Sequence, residues 1–535
     1  MLFNSRRSPV YGANGMVASS QPLASMTGIE ILKEGGNAAD AAVATAAALN
    51  MTEPTSTGIG GDCFCLFFDA SIKKVKGLNG SGRAPSGLTL EYLESIGITD
   101  NLPPFSVHTV TVPGAAAGWV DTIERFGTMT LEEVLTPAIE LGEKGFPVSP
   151  ITAHAWERGI PQLKNGPHYE ELLIEGRAPR AGEIMKNINL SKTFRELAEH
   201  GKSGFYEGKI AEEIVRVLSE MGGKMTLEDL KKHNSIFPDP IKTNYKGLDV
   251  YEIPPNGQGI TALLALNIVE EYDFTGIEHG SSMHLHILIE AMRLAFSDTR
   301  WFVADPEVVE VPIKQLLSKD YAADRRKLLD KERASIDVLR GSPTAGSDTV
   351  YFCVVDGMGN ACSFINSNYR GFGTGIIPEG TGFTLQNRGA NFSLDPEHPN
   401  RLQPNKRPYH TIIPGMVLED GELFAPFGVM GGFMQPQGHL QVIVNMIDYG
   451  MDPQQALDAP RFCILDGTSG GKVYLEKPIG IDAISKLAAM GHNVVPVYGS
   501  RRIVFGKGQI INRNPNTGVL TAGSDPRSDG CAIGW

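Results

Sequence analysis

The sequence predicts one layered α+β unit, and three observations carry that reading. Helical periodicity dominates the chain up to residue 348, and short β-rich runs cut by Gly, Pro and Asn follow it. No repeat, low-complexity tract or long linker separates independent domains. With 41% hydrophobic and 20% charged residues, the chain can bury a large core and is not a disordered polymer.

Each element has a local cause. Residues 29–33 end a helix at Gly35-Gly36, and Asn37, with Asp40 three residues on, has the pattern of an N-cap opening a helix over 38–50. Ala and Val occupy every face of that helix, which predicts burial all round. Short strands are predicted at 64–69 and 74–78 and helices at 129–144 and 193–200. Amphipathic helices fill 206–234, and 285–296 repeats apolar residues at helical spacing. Beyond residue 348, strands are predicted at 350–356, 362–365, 382–385, 416–418 and 472–475, with 435–448 the best helix.

Charge and cysteine usage exclude several classes. Against 48 basic residues stand 61 acidic ones, a net charge of −13, so nothing supplies the counterion release of a general nucleic-acid or anionic-membrane binder. Six cysteines are too few for a disulfide scaffold. Cys63 and Cys65 alternate with Phe64 while Cys353, Cys362, Cys463 and Cys531 stand singly, so none has metal-ligand spacing and all read as reduced, mostly buried small hydrophobes. Arg6 and Arg7 are followed by no signal-type apolar stretch, and no run reaches 18 uninterrupted apolar residues. The expectation is a cytoplasmic, soluble protein with no membrane or nucleic-acid partner, no cofactor and no metal.

Several motifs fail on context. Gly467-Thr468-Ser469-Gly470-Gly471 spells a nucleophile elbow, but the residues after it read as strand where the elbow needs a helix. Gly58-Ile59-Gly60-Gly61 lacks both the dinucleotide fingerprint and a P-loop Lys, and reads as close backbone packing. His284 and His286 are two apart and face different sides of a helix, so they cannot share a metal as an i, i+4 pair does. One of them reads as a core or capping histidine.

The segment from Asp348 to Ala361 alternates Val350, Phe352 and Val354 with the residues between, turns over Gly357–Asn360 and returns, a hairpin with Thr349 at its leading edge. Alone, this places a hydroxyl at the start of a strand and nothing more.

Motifs along nearly the whole chain add to it. Gly15-Met16-Val17-Ala18-Ser19, Pro22-Leu23-Ala24-Ser25 and Gly35-Gly36-Asn37-Ala38-Ala39-Asp40-Ala41-Ala42-Val43-Ala44 are followed by Gly58-Ile59-Gly60-Gly61, Val112-Pro113-Gly114 and Pro137-Ala138-Ile139. Leu294 to Arg300, Lys406-Arg407-Pro408, Gly431-Gly432, Asp458-Ala459-Pro460-Arg461 and Asp525-Pro526-Arg527 complete the series. In this order they resemble the γ-glutamyltranspeptidase family.

The resemblance implies an N-terminal-nucleophile hydrolase, a four-layer αββα sandwich made as a precursor that cuts itself before a Thr. That Thr is Thr349, which divides the chain into a large subunit, 1–348, and a small one, 349–535, together one αββα unit. A Thr hydroxyl is a weak nucleophile, but a chain-terminal Thr carries an α-amine of pKa about 7.7–8.0 able to act as general base. By the same resemblance Ser367 is the hydroxyl that hydrogen-bonds the nucleophile. Gly431 and Gly432 supply the oxyanion hole, where losing one donor costs about 100- to 1000-fold in rate.

The sequence departs from the family at the acyl site. Ser81 stands at the position of the carboxylate-binding Arg, with Arg83 two residues on, and Asn391 replaces the ammonium-binding Asp. His410 and Thr411 replace a Ser pair, Arg388 replaces a Gln or Glu, and Tyr369 replaces a short polar residue. Tyr369 either walls the pocket, hydrogen-bonds an acyl carboxylate or packs structurally. Arg83 and Arg388 are either scaffold residues or carboxylate receptors, and a cation near the site disfavours a substrate ammonium. The short Pro-rich loop between Ser393 and Lys406 leaves little chain for a lid.

Three functions therefore stand as expectations. The first is transfer or hydrolysis of the γ-glutamyl group of glutathione or a related γ-glutamyl amide through an acyl-Thr intermediate. The second is an acylase for glutaryl-type acyl groups, carboxylate-ended and lacking the amine, as in cephalosporin side chains. The third is an unprocessed binding protein. The expected partners are the small-molecule amide and the protein's own second fragment, with higher oligomers left open.

Overall fold

The computed structural model describes residues 7–335, 348–468 and 470–535. Two antiparallel sheets face each other between helical layers, the αββα sandwich expected. The first sheet runs, edge to edge, Val10–Gly12, Leu520–Ser524, Lys507–Arg513, Glu422–Met430, Gly415–Glu419, Leu248–Glu252, Ile241–Tyr245. The second runs Cys531–Gly534, Met16–Ser19, Asp348–Val355, Ala361–Tyr369, Asp62–Asp69, Lys74–Gly80.

Strand alternation explains which side chains go where. Along Asp348–Val355, Val350, Phe352 and Val354 pack among helices, while Tyr351, Cys353 and Val355 fill the space between the sheets. Along Asp62–Asp69, Cys63, Cys65 and Phe67 take the helical side and Phe64, Leu66 and Phe68 the inter-sheet side. Thr349 shares the parity of Tyr351, so its hydroxyl belongs to the inter-sheet layer.

Helices Pro22–Lys33 and Ala38–Thr52 form a hairpin over the second sheet. The Asn37 side chain accepts the Ala39 and Asp40 N–H groups and Asp40 accepts that of Asn37, the cap predicted, and every residue of Ala38–Thr52 is buried. Helices Gly259–Val269 and Met434–Ile447 cover the first sheet. The other helical expectations appear as Leu131–Lys144, Ile188–His200, Lys202–Tyr206, Gly208–Glu220, Leu227–Lys231 and Ser282–Phe302. Several helices were not anticipated, among them Ala115–Phe126, Pro150–Leu163, Gly259–Val269, Pro453–Asp458 and Ile481–Ala489.

One predicted strand is absent. Residues 382–385 join no sheet: Gly382 has a φ of 73°, and the segment lies on the Gly58–Gly61 turn and bonds to loops. A Cβ on Gly60 would stand 2.3 Å from the Thr384 carbonyl oxygen, and the Gln386 N–H donates to Gly60 O at 3.1 Å. The glycine turn is thus the close backbone packing that the sequence suggested. The elbow-like run leads into the strand Val473–Glu476, not a helix, and its Ser469 lies outside the described residues.

Segments on both sides of residue 348 contribute strands to both sheets, and the C-terminal Trp535 carbonyl accepts the Ala13 and Asn14 N–H groups at 2.7 and 2.8 Å. A single cut at 348–349 would leave two chains interleaved through backbone ladders. No helix among the described residues is long and apolar enough to cross a membrane.

Burial holds four histidines neutral: His410 is pushed down to about 4, and His233, His284 and His492 to about 3. Unfolded histidine titrates near 6.5, so between that pH and the folded values the unfolded chain binds protons that the native one refuses. Stability is therefore full above about pH 6.5 and lost as pH falls, on the order of 1–2 kcal/mol per histidine by pH 5. Urea unfolding midpoints measured from pH 7.5 to 5 should fall steadily across a window lying above carboxylate titration.

Candidate active site

The site is assembled from the start of one strand, the end of its neighbour and two turns. Strands Asp348–Val355 and Ala361–Tyr369 pair in register until an irregularity between Asn366 and Tyr369, opposite Thr349. That bulge is buttressed from below: a Cβ on Gly61 would stand 2.3 Å from the Ser367 carbonyl oxygen, and one on Gly58 2.8 Å from the Asn368 side chain. Tyr369 takes a positive φ of 77° to complete it, a conformation that costs a non-glycine residue roughly 1 kcal/mol or more.

The bulge brings Ser367 Oγ to 2.9 Å from Thr349 Oγ1, both residues fully buried. Ser367 Oγ also accepts the Tyr369 N–H at 2.9 Å and Arg388 Nη2 at 3.2 Å. Arg388 Nη1 donates to Thr411 Oγ1 at 2.7 Å, and its guanidinium carbon stands 4.5 Å from the Tyr369 ring centroid.

Arg388 is fully buried and makes no ion pair among the described residues, while its Nε meets no partner. Burial pushes its pKa down to about 10, against the pull of Asp62 and Tyr369, so it stays cationic at neutral pH. An isolated buried cation is costly, and an anion brought beside it would offset that cost.

Gly431 and Gly432, with φ of 129° and 59°, form the turn between strand Glu422–Met430 and helix Met434–Ile447. Neither N–H of the pair meets an acceptor among the described residues, and both sit at the positive end of the helix. Gln258, which sequence reasoning missed, ties this turn to the rest. Its Nε2 donates to Thr411 O at 2.6 Å and Gly432 O at 2.8 Å, and its Oε1 accepts Tyr409 OH at 3.0 Å. Its only signal was a Gln among Gly and Pro just before an apolar helix. The network therefore runs unbroken from Thr349 through Ser367, Arg388, Thr411 and Gln258 to Gly432.

The remaining predicted residues divide. Arg83 lies 2.6 Å from Glu307, which Arg407 also holds at 2.9 Å, so its charge is already answered. The Ser81 hydroxyl donates to Asn79 at 2.6 Å and accepts from Asn256 at 3.3 Å. His410 donates through Nε2 to Asp62 at 2.9 Å and accepts the Ile412 N–H on Nδ1 at 3.3 Å. Both ring nitrogens are used, so the ring positions backbone and does not reach for a ligand. Asp62, also unforeseen, further accepts Gly82 N–H, Gly114 N–H and Gln386 Nε2 at 3.0, 3.2 and 3.0 Å.

A cleft of about 960 Å³ opens beside this network, bordered by Tyr369, Asn391, Tyr409, Phe433 and Arg300. Ser393, Asp395, His398 and Asn400 also line it, so the 393–406 loop is a wall of the cleft. The Asn391 amide nitrogen is buried without a partner. Thr349 itself does not reach the cleft surface in the uncut chain; Tyr369, paired across the ladder with Asp348, stands between.

Among the described residues one group of metal-ligand type converges elsewhere: His286, Glu290 and His492. His286 Nδ1 and His492 Nε2 are hydrogen-bonded at 2.8 Å, His286 Nε2 binds Asp330 O at 2.7 Å, and Arg293 lies 3.4 Å from Glu290. The His286 Nδ1 lone pair is engaged by His492 and Arg293 stands beside the carboxylate, while His492 Nδ1 and Glu290 Oε1 meet no hydrogen-bond partner. His284 faces another way, toward Phe274 and Tyr449, as its spacing from His286 required.

Comparisons with known proteins agree with this geometry. The profile described as gamma-glutamyltranspeptidase matches residues 24–535. A glutathione hydrolase-like proenzyme, YwrD, of Bacillus subtilis (strain 168) is 40% identical, covering 98% of this chain and 99% of that one. The acylase ACY 1 proenzyme of Pseudomonas sp. (strain SE83) is 33% identical over 99% of this chain and 95% of that one. Among solved structures, the cephalosporin acylase from Bacillus halodurans superposes with a TM-score of 0.93 at 45% identity, covering 100% of this chain and 98% of that one.

The unanswered charge of Arg388 has a stability consequence. Replacing it by Met removes a desolvated cation and keeps the volume, so Arg388→Met should unfold at a higher denaturant concentration than the wild type. Equilibrium unfolding at pH 7 checks this; a lower midpoint would mean that the guanidinium's two hydrogen bonds outweigh its desolvation.

Proposed function

Because the chain belongs to the gamma-glutamyltranspeptidase family and is an enzyme of that class, we propose that it is a self-processed amidohydrolase with Thr349 as N-terminal nucleophile, selective for acyl groups that end in a carboxylate and lack an α-amine. The observation that carries this reading is Arg388, a buried guanidinium one hydroxyl away from Thr349 with no carboxylate partner among the described residues.

Cleavage after Asp348 would free the Thr349 α-amine and remove the residue paired with Tyr369, opening the cleft onto the nucleophile. The amine takes the proton from Oγ1 as it attacks the amide carbonyl. Two donors already point at Ser367 Oγ, and its contact with Thr349 Oγ1 holds the nucleophile's hydroxyl in place for the amine to take its proton. The N–H groups of Gly431 and Gly432 receive the oxyanion, where each such donor is worth about 100- to 1000-fold. The amine half departs with the proton held by the α-ammonium, leaving an acyl-Thr ester, and water activated by the same amine completes hydrolysis.

Arg388 holds the terminal carboxylate of the acyl chain. An acid at position 391 would be needed to balance a substrate ammonium, and Asn391 has no charge to offer. The γ-glutamyl reading keeps one support, the 40% identity to a glutathione hydrolase-like proenzyme. Single-turnover acylation with a glutaryl amide and with glutathione separates the two, and kcat/KM at least tenfold higher for the glutaryl amide is expected.

Denaturing gels of active protein should show fragments of 348 and 187 residues, about 38 and 20 kDa by their share of the 57.7 kDa chain. Thr349→Ala should show one band and no turnover, whereas an active single polypeptide would end this account.

The pH dependence follows from two groups. kcat should fall below about pH 8 as the α-amine protonates. KM for carboxylate-ended donors should rise above pH 10, where Arg388 begins to lose its charge.

A further inference from the structure

A second guanidinium reaches the cleft from the last turn of helix Ser282–Phe302. Arg300 lines the cleft, its guanidinium carbon 4.6 Å from the Phe433 ring centroid and 5.2 Å from that of Tyr409. Its neighbours among the arginines have carboxylates: Arg325 holds Asp298 at 2.9 Å, Arg407 holds Glu307 at 2.9 Å and Arg293 lies 3.4 Å from Glu290. Arg300 has none within ion-pair distance among the described residues, and its Nε is buried without a partner. The acids of the cleft, Asp100 and Asp395, stand at its exposed rim.

Position and depth tell the two cations apart. Arg388 is sealed behind Tyr369, against the hydroxyl pair that includes the nucleophile. Arg300 is partly exposed and stacks on Phe433, the residue that follows the Gly431-Gly432 turn. A substrate whose carbonyl oxygen points at that turn and whose acyl tail runs inward to Arg388 must lay its amine half along the open cleft, past Arg300. The aromatic faces of Phe433 and Tyr409 hold the guanidinium in place, the Tyr409 hydroxyl also engages it, and its buried Nε is left without a partner.

We propose that Arg300 is the receptor for a carboxylate on the amine half of the substrate, so that the preferred amides are acidic at both ends: ω-carboxyacyl derivatives of amino acids or of other amino-carboxylic acids. The same subsite would receive an acidic amine acting as acyl acceptor. This assignment rests on the reading of Thr349 as nucleophile and Arg388 as acyl-tail receptor.

Two chromogenic amides with one acyl group test it: glutaryl 4-nitroanilide and glutaryl 3-carboxy-4-nitroanilide, assayed with wild type, Arg300→Gln and Arg300→Lys. The readout is the ratio of kcat/KM for the carboxylated over the neutral anilide, in which folding defects and active-enzyme concentration cancel within each protein. A charge-assisted hydrogen bond of this kind is worth about ten- to a hundredfold. Arg300→Gln should lower the ratio by at least tenfold through KM, and Arg300→Lys should restore part of it. A ratio that Arg300→Gln leaves unchanged, with both anilides still hydrolysed, overturns the Arg300 assignment and spares the catalytic reading. A wild type that turns over neither anilide overturns both.

Discussion

Two hydroxyls placed 2.9 Å apart in the dry layer between two sheets are the constraint from which the rest of the site follows. A buried hydroxyl must have partners, and each partner here commits a further part of the chain. Ser367 can reach Thr349 only because the strand bulges after Asn366, and the bulge fits only because Gly58 and Gly61 leave room beneath it. The lone pairs of Ser367 then draw in Tyr369 N–H and Arg388, Arg388 engages Thr411, and Gln258 joins Thr411 to the Gly431-Gly432 turn. One side-chain contact thus sets the relative position of segments more than 170 residues apart, from Gln258 to Gly432.

The same sandwich explains how a chain can be cut at its active site and keep its shape. Each sheet takes strands from both sides of residue 348, and the C-terminal Trp535 is hydrogen-bonded to Ala13 and Asn14. Separating the fragments would break ladders in both sheets and expose the apolar layer between them, so the scissile peptide contributes almost nothing to the fold. Asp348, on one side of that peptide, is paired with Tyr369, which lines the cleft.

What the sequence made legible was local or carried by motif order. The capping box at Asn37 and Asp40, the buried alanine helix and the hairpin behind Thr349 depend on residues within a few positions of one another, and they stand as read. The strand expected at 382–385 failed because β-propensity describes a segment, whereas a ladder needs an edge to join, and Gly60 offered a packing surface instead. The choice between Arg83 and Arg388 could not be made from sequence, since it turns on Glu307, 224 positions from Arg83. Gln258, Asp62 and Arg300 were missed for the same reason: each has its meaning from groups that only the fold brings near.

The departures at the acyl site make physical sense as one exchange. The cation that the family resemblance places at position 81 is gone, and Ser81 is occupied by Asn79 and Asn256, while a cation appears at 388 on the other fragment. Asn391, three residues from Arg388, lines the cleft and brings no negative charge to it. His410 adds no competing charge, since burial and the nearby Arg388 hold it neutral against the pull of Asp62. Under the proposed acylase function, a cation moved inward and an acid lost would together favour a simple carboxylate over a zwitterionic head, and neither change alone would do so.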